Sequence, residues 1–89
     1  MNKQKQFKVV AVSSNTNSFG LYGMILMAKD GEAYEVAVNE IYKKNKNDIV
    51  CLPMKNGKTN LLGDCQISFE IPRKLPNAPQ KVIDEVWQN

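Results

Sequence analysis

Read for chemistry, the chain offers lysines, scattered carboxylates and two cysteines, but no histidine. That absence removes the usual general base, the usual partner of a serine or cysteine nucleophile, and the commonest metal ligand. Cys51 and Cys65 form no CxxC pair, so a structural zinc set is not expected. Both lie on apolar-patterned segments, where a reduced, buried thiol behaves as a small hydrophobe. Gly57-Lys58-Thr59 ends like a phosphate-binding loop but lacks the upstream glycine that the cradle requires, and there is no GxGxxG. A hairpin turn explains those residues better. Asp48, Asp64 and Glu70 are dispersed, with no spacing that sets two of them as an acid and base pair. The pattern argues against an enzyme and against a metal or other cofactor, and for a domain that works by binding.

Three regions are suited to binding. In the segment 15–22, Phe19 and Tyr22 sit among small polar residues, a composition that serves stacking on a base or packing on a peptide. The competing reading folds both rings back as a lid on a small core that needs every aromatic, and it is the one preferred. In the basic stretch, Tyr42, Lys43, Lys44 and Lys46 fit a phosphate backbone with a ring to stack a base, joined in space by Lys55, Lys58, Arg73 and Lys74. The same lysines also read as a solvated loop that keeps the protein soluble and discourages edge pairing, and for this stretch taken alone that reading is preferred. Trp87, beside Val82, Ile83 and Val86, either pins a terminal helix from the core or is presented to a partner, and the core reading is the one preferred.

The expected partner is nucleic acid, single-stranded or structured, with Phe19, Tyr22, Tyr42, Lys43, Lys44, Lys46, Lys55 and Lys58 as the site. The rival expectation is a protein-interaction or structural module, with a homodimer among its forms, that uses a strand edge or the C-terminal helix. A net charge of +3 permits an anionic partner without demanding one.

The elements that would carry these residues are mostly strands. After a disordered lead over 1–5, Phe7 to Ser13 reads as a first strand with Phe7, Val9 and Ala11 on one face. A polar loop over 13–20 leads to a second strand from Leu21 to Lys29. Asp30-Gly31 then signals a type I′ hairpin into a third strand whose apolar face is Tyr34, Val36 and Val38. The segment 32–42 also fits helical spacing; the reading that reconciles the two ends the strand near Asn39 and follows it with one helical turn through Glu40, Ile41 and Tyr42.

Ile49 to Leu52 is a fourth strand closed by Pro53, and Asn56-Gly57 is a second type I′ signal. Cys65, Ile67, Phe69 and Ile71 alternate as a fifth strand, which Pro72 stops; an extended connector follows to Pro76. Asn77 caps a helix over 78–88 with Pro79 in its first turn. The class is mainly β: a small five-stranded antiparallel barrel or curled sheet, SH3-like or OB-like in its pattern, with a short C-terminal helix. No family motif is present.

At 89 residues the chain suits one domain over 6–89, and 43% apolar with 24% charged residues is an ordinary globular balance. No apolar run approaches the roughly 20 residues needed to span a bilayer. The N-terminus has no export-signal pattern, which points to the cytoplasm.

Overall fold

The computed structural model describes residues 3–60 and 70–88. Among these described residues, six strands form one curled antiparallel sheet, a half-barrel, with a single α-helix outside it. The strands are β1 (Gln4–Val12), β2 (Tyr22–Ala28), β3 (Ala33–Val38), β4 (Ile49–Lys55), β5 (Lys58–Thr59) and β6 (Glu70–Leu75), and α1 spans Gln80–Trp87. Their order across the sheet is β5-β4-β1-β2-β3-β6. The expected mainly β curled sheet with a short C-terminal helix is therefore what forms, with six strands in place of five because Lys58–Thr59 pairs with the end of β4 as a strand of its own. No helix among the described residues is long and apolar enough to cross a membrane.

The inner face is built by alternation. Phe7 and Val9 of β1, Met24 and Leu26 of β2, Tyr34, Val36 and Val38 of β3, and Val50 and Leu52 of β4 are buried together as the main core. One irregularity re-aims β1. Val9 pairs with Leu26 and Ala11 with Ile25, so Val10 is an extra residue, a β-bulge that reverses the alternation beyond it. Ala11 is consequently exposed and Val12 packs on the core, where strict alternation placed Ala11 with Phe7 and Val9.

Several local expectations are corrected. β1 begins at Gln4, because Gln4 and Lys5 pair with Pro53 and Leu52, so these two residues of the expected disordered lead are strand. The Asp30-Gly31 hairpin forms, but only Gly31 has positive φ, at +93°. Gly31 N–H donates to Ala28 O (3.0 Å) and Ala28 N–H to Glu32 O (2.8 Å), which closes a three-residue loop in place of a type I′ turn. Asp30 keeps negative φ while its carboxylate accepts the Glu32 N–H at 3.0 Å. Asn56 (φ 55°) and Gly57 (φ 77°) are both left-handed, as a type I′ turn requires. Between β3 and β4, Glu40–Tyr42 forms a 3₁₀ turn after the strand ends at Val38, as the reconciled reading has it.

Pro53 lies inside β4, not at its end. Pro72 lies inside β6, which continues to Leu75 beside β3. Glu35 pairs with Arg73 and Ala37 with Glu70, so β6 carries one extra residue across the stretch containing Pro72, and that irregularity accommodates the missing N–H. The expected alternation over 65–69, with Cys65, lies outside the described residues; Cys51 is a free, half-buried thiol. Pro79, not Asn77, is the N-cap residue of α1, and Asn77 instead accepts a hydrogen bond from Lys74 (3.4 Å).

The outer face carries a transverse row of cross-strand neighbours: Ile49, Lys8, Met27, Ala33 and Leu75. α1 packs on this face. Ile83 is its buried residue, and Met27 and Ala33 are buried on the sheet side. Gly31 makes the approach possible, since a Cβ there would lie 2.9 Å from Ile83 Cδ1 and 3.0 Å from Ala78 O. Ala78 N–H also donates to Gly31 O at 2.9 Å, which ties the chain entering α1 to the hairpin. Gly31→Ala should cost on the order of 1–3 kcal/mol, combining left-handed strain with displacement of α1. Gly57→Ala, with a similar φ but open space around it, should cost less. Equal costs in urea denaturation would show that helix packing on Gly31 is not the cause.

Candidate functional site

The lysine-rich segment before β4 is a fixed turn. Asp48 N–H donates to Asn45 O (3.1 Å), Asn45 N–H to Asp48 Oδ2 (2.8 Å), and Asn47 takes positive φ at 78°. Asparagine tolerates that conformation, which the third position of a type II turn requires. Asn47 N–H then donates to Val9 O (2.8 Å) and Val9 N–H to Asp48 O (2.9 Å), so the turn is bound to β1. Its consequence is that Lys46 projects into a groove on the outer face.

The opposite wall of that groove is the end of α1. Trp87 is half-buried, and its Nε1–H donates to Met27 O at 3.1 Å, which sets the orientation of the indole. Lys8 is buried, at 5% exposure, and its Nζ donates to Val86 O at 2.9 Å. It thereby satisfies a carbonyl that the last helical turn leaves open, and its charge complements the negative end of the helix dipole. Lys8 Nζ lies 5.0 Å from the centre of the Trp87 ring and Lys29 Nζ 5.2 Å from it. Lys29 is exposed, at the first position after β2. The groove has a volume of about 710 Å³, with Lys8, Lys29, Lys46 and Trp87 beside apolar Val10 and Ile49, and Glu85 as the one acid among the described residues that line it. Chemically, this is a cationic cleft with an aromatic wall, able to hold an anion and pack a flat ring.

The residues expected to bind divide among three places. Tyr22 and Tyr42 are half-buried and pack against the main core, and Lys43 Nζ stands 4.3 Å over the Tyr22 ring, at the end of the sheet where β2 begins. Lys44 is next to them and half-buried, its backbone N–H on Met24 Sδ at 3.5 Å. Phe19 does not fold back as a lid. It is 74% exposed, on a turn held by Asn17 Oδ1, which accepts from the Phe19 and Leu21 N–H groups at 2.9 and 3.1 Å. Lys46 alone of the set lies in the groove. Lys55 and Lys58 face one another across the Asn56-Gly57 turn, at the opposite end of the strands from Tyr22. Arg73 is engaged with Glu35 at 2.8 Å, and Lys74 stands 5.7 Å from the Tyr34 ring centre.

Sequence reasoning missed Lys8 and Lys29 and preferred Trp87 as a core residue, whereas it is half-buried and lines the groove. Their only local signals are the outward phase of Lys8 in β1 and the position of Lys29 just before the Asp-Gly turn. Among the described residues no cluster of three metal-ligand types occurs.

A second charged cluster joins β1 to the β2–β3 hairpin. Lys5 Nζ donates to Asp30 Oδ2 and Glu32 Oε1, both at 2.6 Å, and the Tyr34 hydroxyl donates to Glu32 Oε2. Hydrogen bonding from Lys5, aided by the Glu32 N–H, holds Asp30 below its usual pKa of 3.8. Burial pushes Glu32 up, but the hydrogen bonds from Lys5 and Tyr34 outweigh it and the group ends below its usual 4.5. Burial opposes the charge on Lys5, yet its two carboxylate partners raise it above 10.5. Burial, then the bond to Glu32, pushes Tyr34 up to about 12.

The carboxylates therefore add stability above their unfolded values of 3.8 and 4.5, and this is lost as pH falls through their lower folded values. Tyr34 adds stability below pH 10.0 that is lost as pH rises towards about 12. The stability advantage of the native chain over Lys5→Met should thus shrink as pH is lowered through the carboxylate range. A difference between the two denaturation midpoints that stays constant from neutral to acid pH would contradict this coupling.

No protein-family model matches the chain, and no curated protein or solved structure is significantly similar to it.

Proposed function

We propose that the chain is a non-catalytic binding domain whose partner is nucleic acid. The observation that carries this reading is the convergence of Lys8, Lys29 and Lys46 on one groove walled by the only tryptophan. Clustered lysines neutralise phosphates with release of counterions, and an aromatic wall adds a contact that a bare anion site lacks. Of the basic stretch before β4, Lys46 is the contributor; Lys43, over Tyr22, lies outside this groove.

The test is retention of the protein on a mixed-sequence oligonucleotide at low salt, followed as salt rises. Binding should weaken steeply, and Lys29→Glu with Lys46→Glu should reduce the slope of log affinity against log salt by about two, one for each lost phosphate contact. Lys55→Glu with Lys58→Glu, at the far hairpin, should leave it nearly unchanged. Failure to bind oligonucleotide at every salt concentration would sink the reading.

A protein partner is the second reading, favoured by two large apolar side chains left exposed near one end of the sheet. Phe19 is 74% exposed before β2, and Ile41 is 82% exposed after β3. Tyr22 and Val38, which start β2 and end β3, are paired, so both side chains belong to that end. If the contact is with a second copy, light scattering should show concentration-dependent association that Ile41→Asp abolishes. A monomer at all concentrations removes self-association.

A further inference from the structure

We infer that the groove takes an unpaired base against the Trp87 indole, which makes single-stranded nucleic acid the partner in preference to a duplex. This rests on the nucleic-acid reading above and narrows it. In a duplex the bases stack on one another and offer only their edges to a protein, whereas a single strand can lay a base face on an aromatic ring.

Three features prepare the indole for that contact. Its edge is fixed by the Nε1–H bond to Met27 O, so no rotational freedom about that bond has to be given up on binding. The walls beside it are apolar, Val10 half-buried and Ile49 45% exposed, which suits the face of a base. The two ammonium groups over the ring differ in mobility. Lys8 is buried and bonded to Val86 O, so it stays; Lys29 is exposed on the hairpin loop and can swing aside.

When a base arrives, Lys29 exchanges an exposed cation–π contact, which is weak, for a phosphate, and the ring exchanges the cation for a stacked base. Lys46, held by the 45–48 turn, supplies a second phosphate contact. Glu85, at the C-terminal end of α1, repels phosphates, so the backbone should pass along the Lys29 and Lys46 side with the base turned inward. The volume of about 710 Å³ falls in the range of sites that enclose a small molecule, adequate for a nucleotide unit.

Trp87 is the only tryptophan, so its emission in the full native chain reports on the groove directly. The probes are a single-stranded deoxythymidine oligomer, a mixed-sequence duplex of equal length, inorganic polyphosphate and polyglutamate. The single strand should quench the emission and bind about tenfold more tightly than either the duplex or polyphosphate, the difference one stacked base makes. Trp87→Phe should keep most of that preference and Trp87→Ala should lose it, with circular dichroism confirming that both remain folded. Should Trp87→Ala unfold, quenching of the native chain still decides the matter.

Equal affinity for duplex, polyphosphate and single strand, with emission unchanged, overturns the stacking inference while leaving the nucleic-acid reading standing. Polyglutamate binding as tightly as the oligomer overturns both in favour of an acidic protein partner. No binding by any probe also overturns both.

Discussion

A lysine in the middle of an apolar row sets the terms for the outer half of this protein. Ile49, Lys8, Met27, Ala33 and Leu75 are cross-strand neighbours, and the helix packed on this face would trap an ammonium left unpaired at Lys8, at a cost of several kcal/mol. Lys8 meets that constraint by giving its ammonium to Val86 O and setting it over the Trp87 ring. Its methylene stem packs as an apolar residue would. An eight-residue helix is too short to persist alone, so its placement depends on such tethers. Lys8 and the Trp87 N–H hold its C-terminal end, and the close approach at Gly31 admits Ile83 nearer its start.

The groove follows from where the helix is held and from how β1 is bent. Up to Val10 the strand alternates strictly, with Phe7 and Val9 in the core and Lys8 and Val10 lining the cleft; the bulge at Val10 reverses the phase beyond it, so Val12 returns to the core. The 45–48 turn binds back onto β1 at Val9, directly across from the end of α1. Two rigid attachments to one strand therefore define both walls. Neither wall belongs to a long flexible loop, which keeps the lysines close without a ligand to order them.

What the sequence makes legible is what local chemistry decides. Asn56-Gly57 has residues that accept positive φ at both central positions, and its hairpin is as read. At Asp30-Gly31 the same logic finds the hairpin but misses the turn type, because Asp30 uses its carboxylate on the Glu32 N–H and on Lys5. Pro72 reads as a stop, yet an extra residue in β6 absorbs it. Phe19 reads as part of a lid, but the side chain of Asn17 closes the turn without it and leaves the ring outside.

The candidate groove was largely hidden, since Lys8, Lys29, Lys46 and Trp87 come from four segments that only the sheet register and helix docking bring together. Trp87 also shows why choosing between a core and a presented residue fails here: its N–H edge pins the helix while the half-buried indole lines the cleft.

Three like charges in one cleft need something to offset their repulsion before any ligand arrives. The C-terminal end of α1 supplies part of it, through the partial negative charge of its open carbonyls, and Lys8 is placed directly on one of them. The indole face supplies more, its electron-rich surface lying near the ammonium groups of both Lys8 and Lys29. Glu85 adds a full negative charge on the same helix end. These interactions are unequal in strength. The one on Lys8 is buried and screened little by salt, whereas the one on Lys29 is exposed and screened within about 10 Å at ordinary ionic strength, and Lys46 is exposed as well. The cleft therefore separates a structural cation from two exchangeable ones, and an anionic ligand can recruit Lys29 and Lys46 without withdrawing the charge that holds the helix in place.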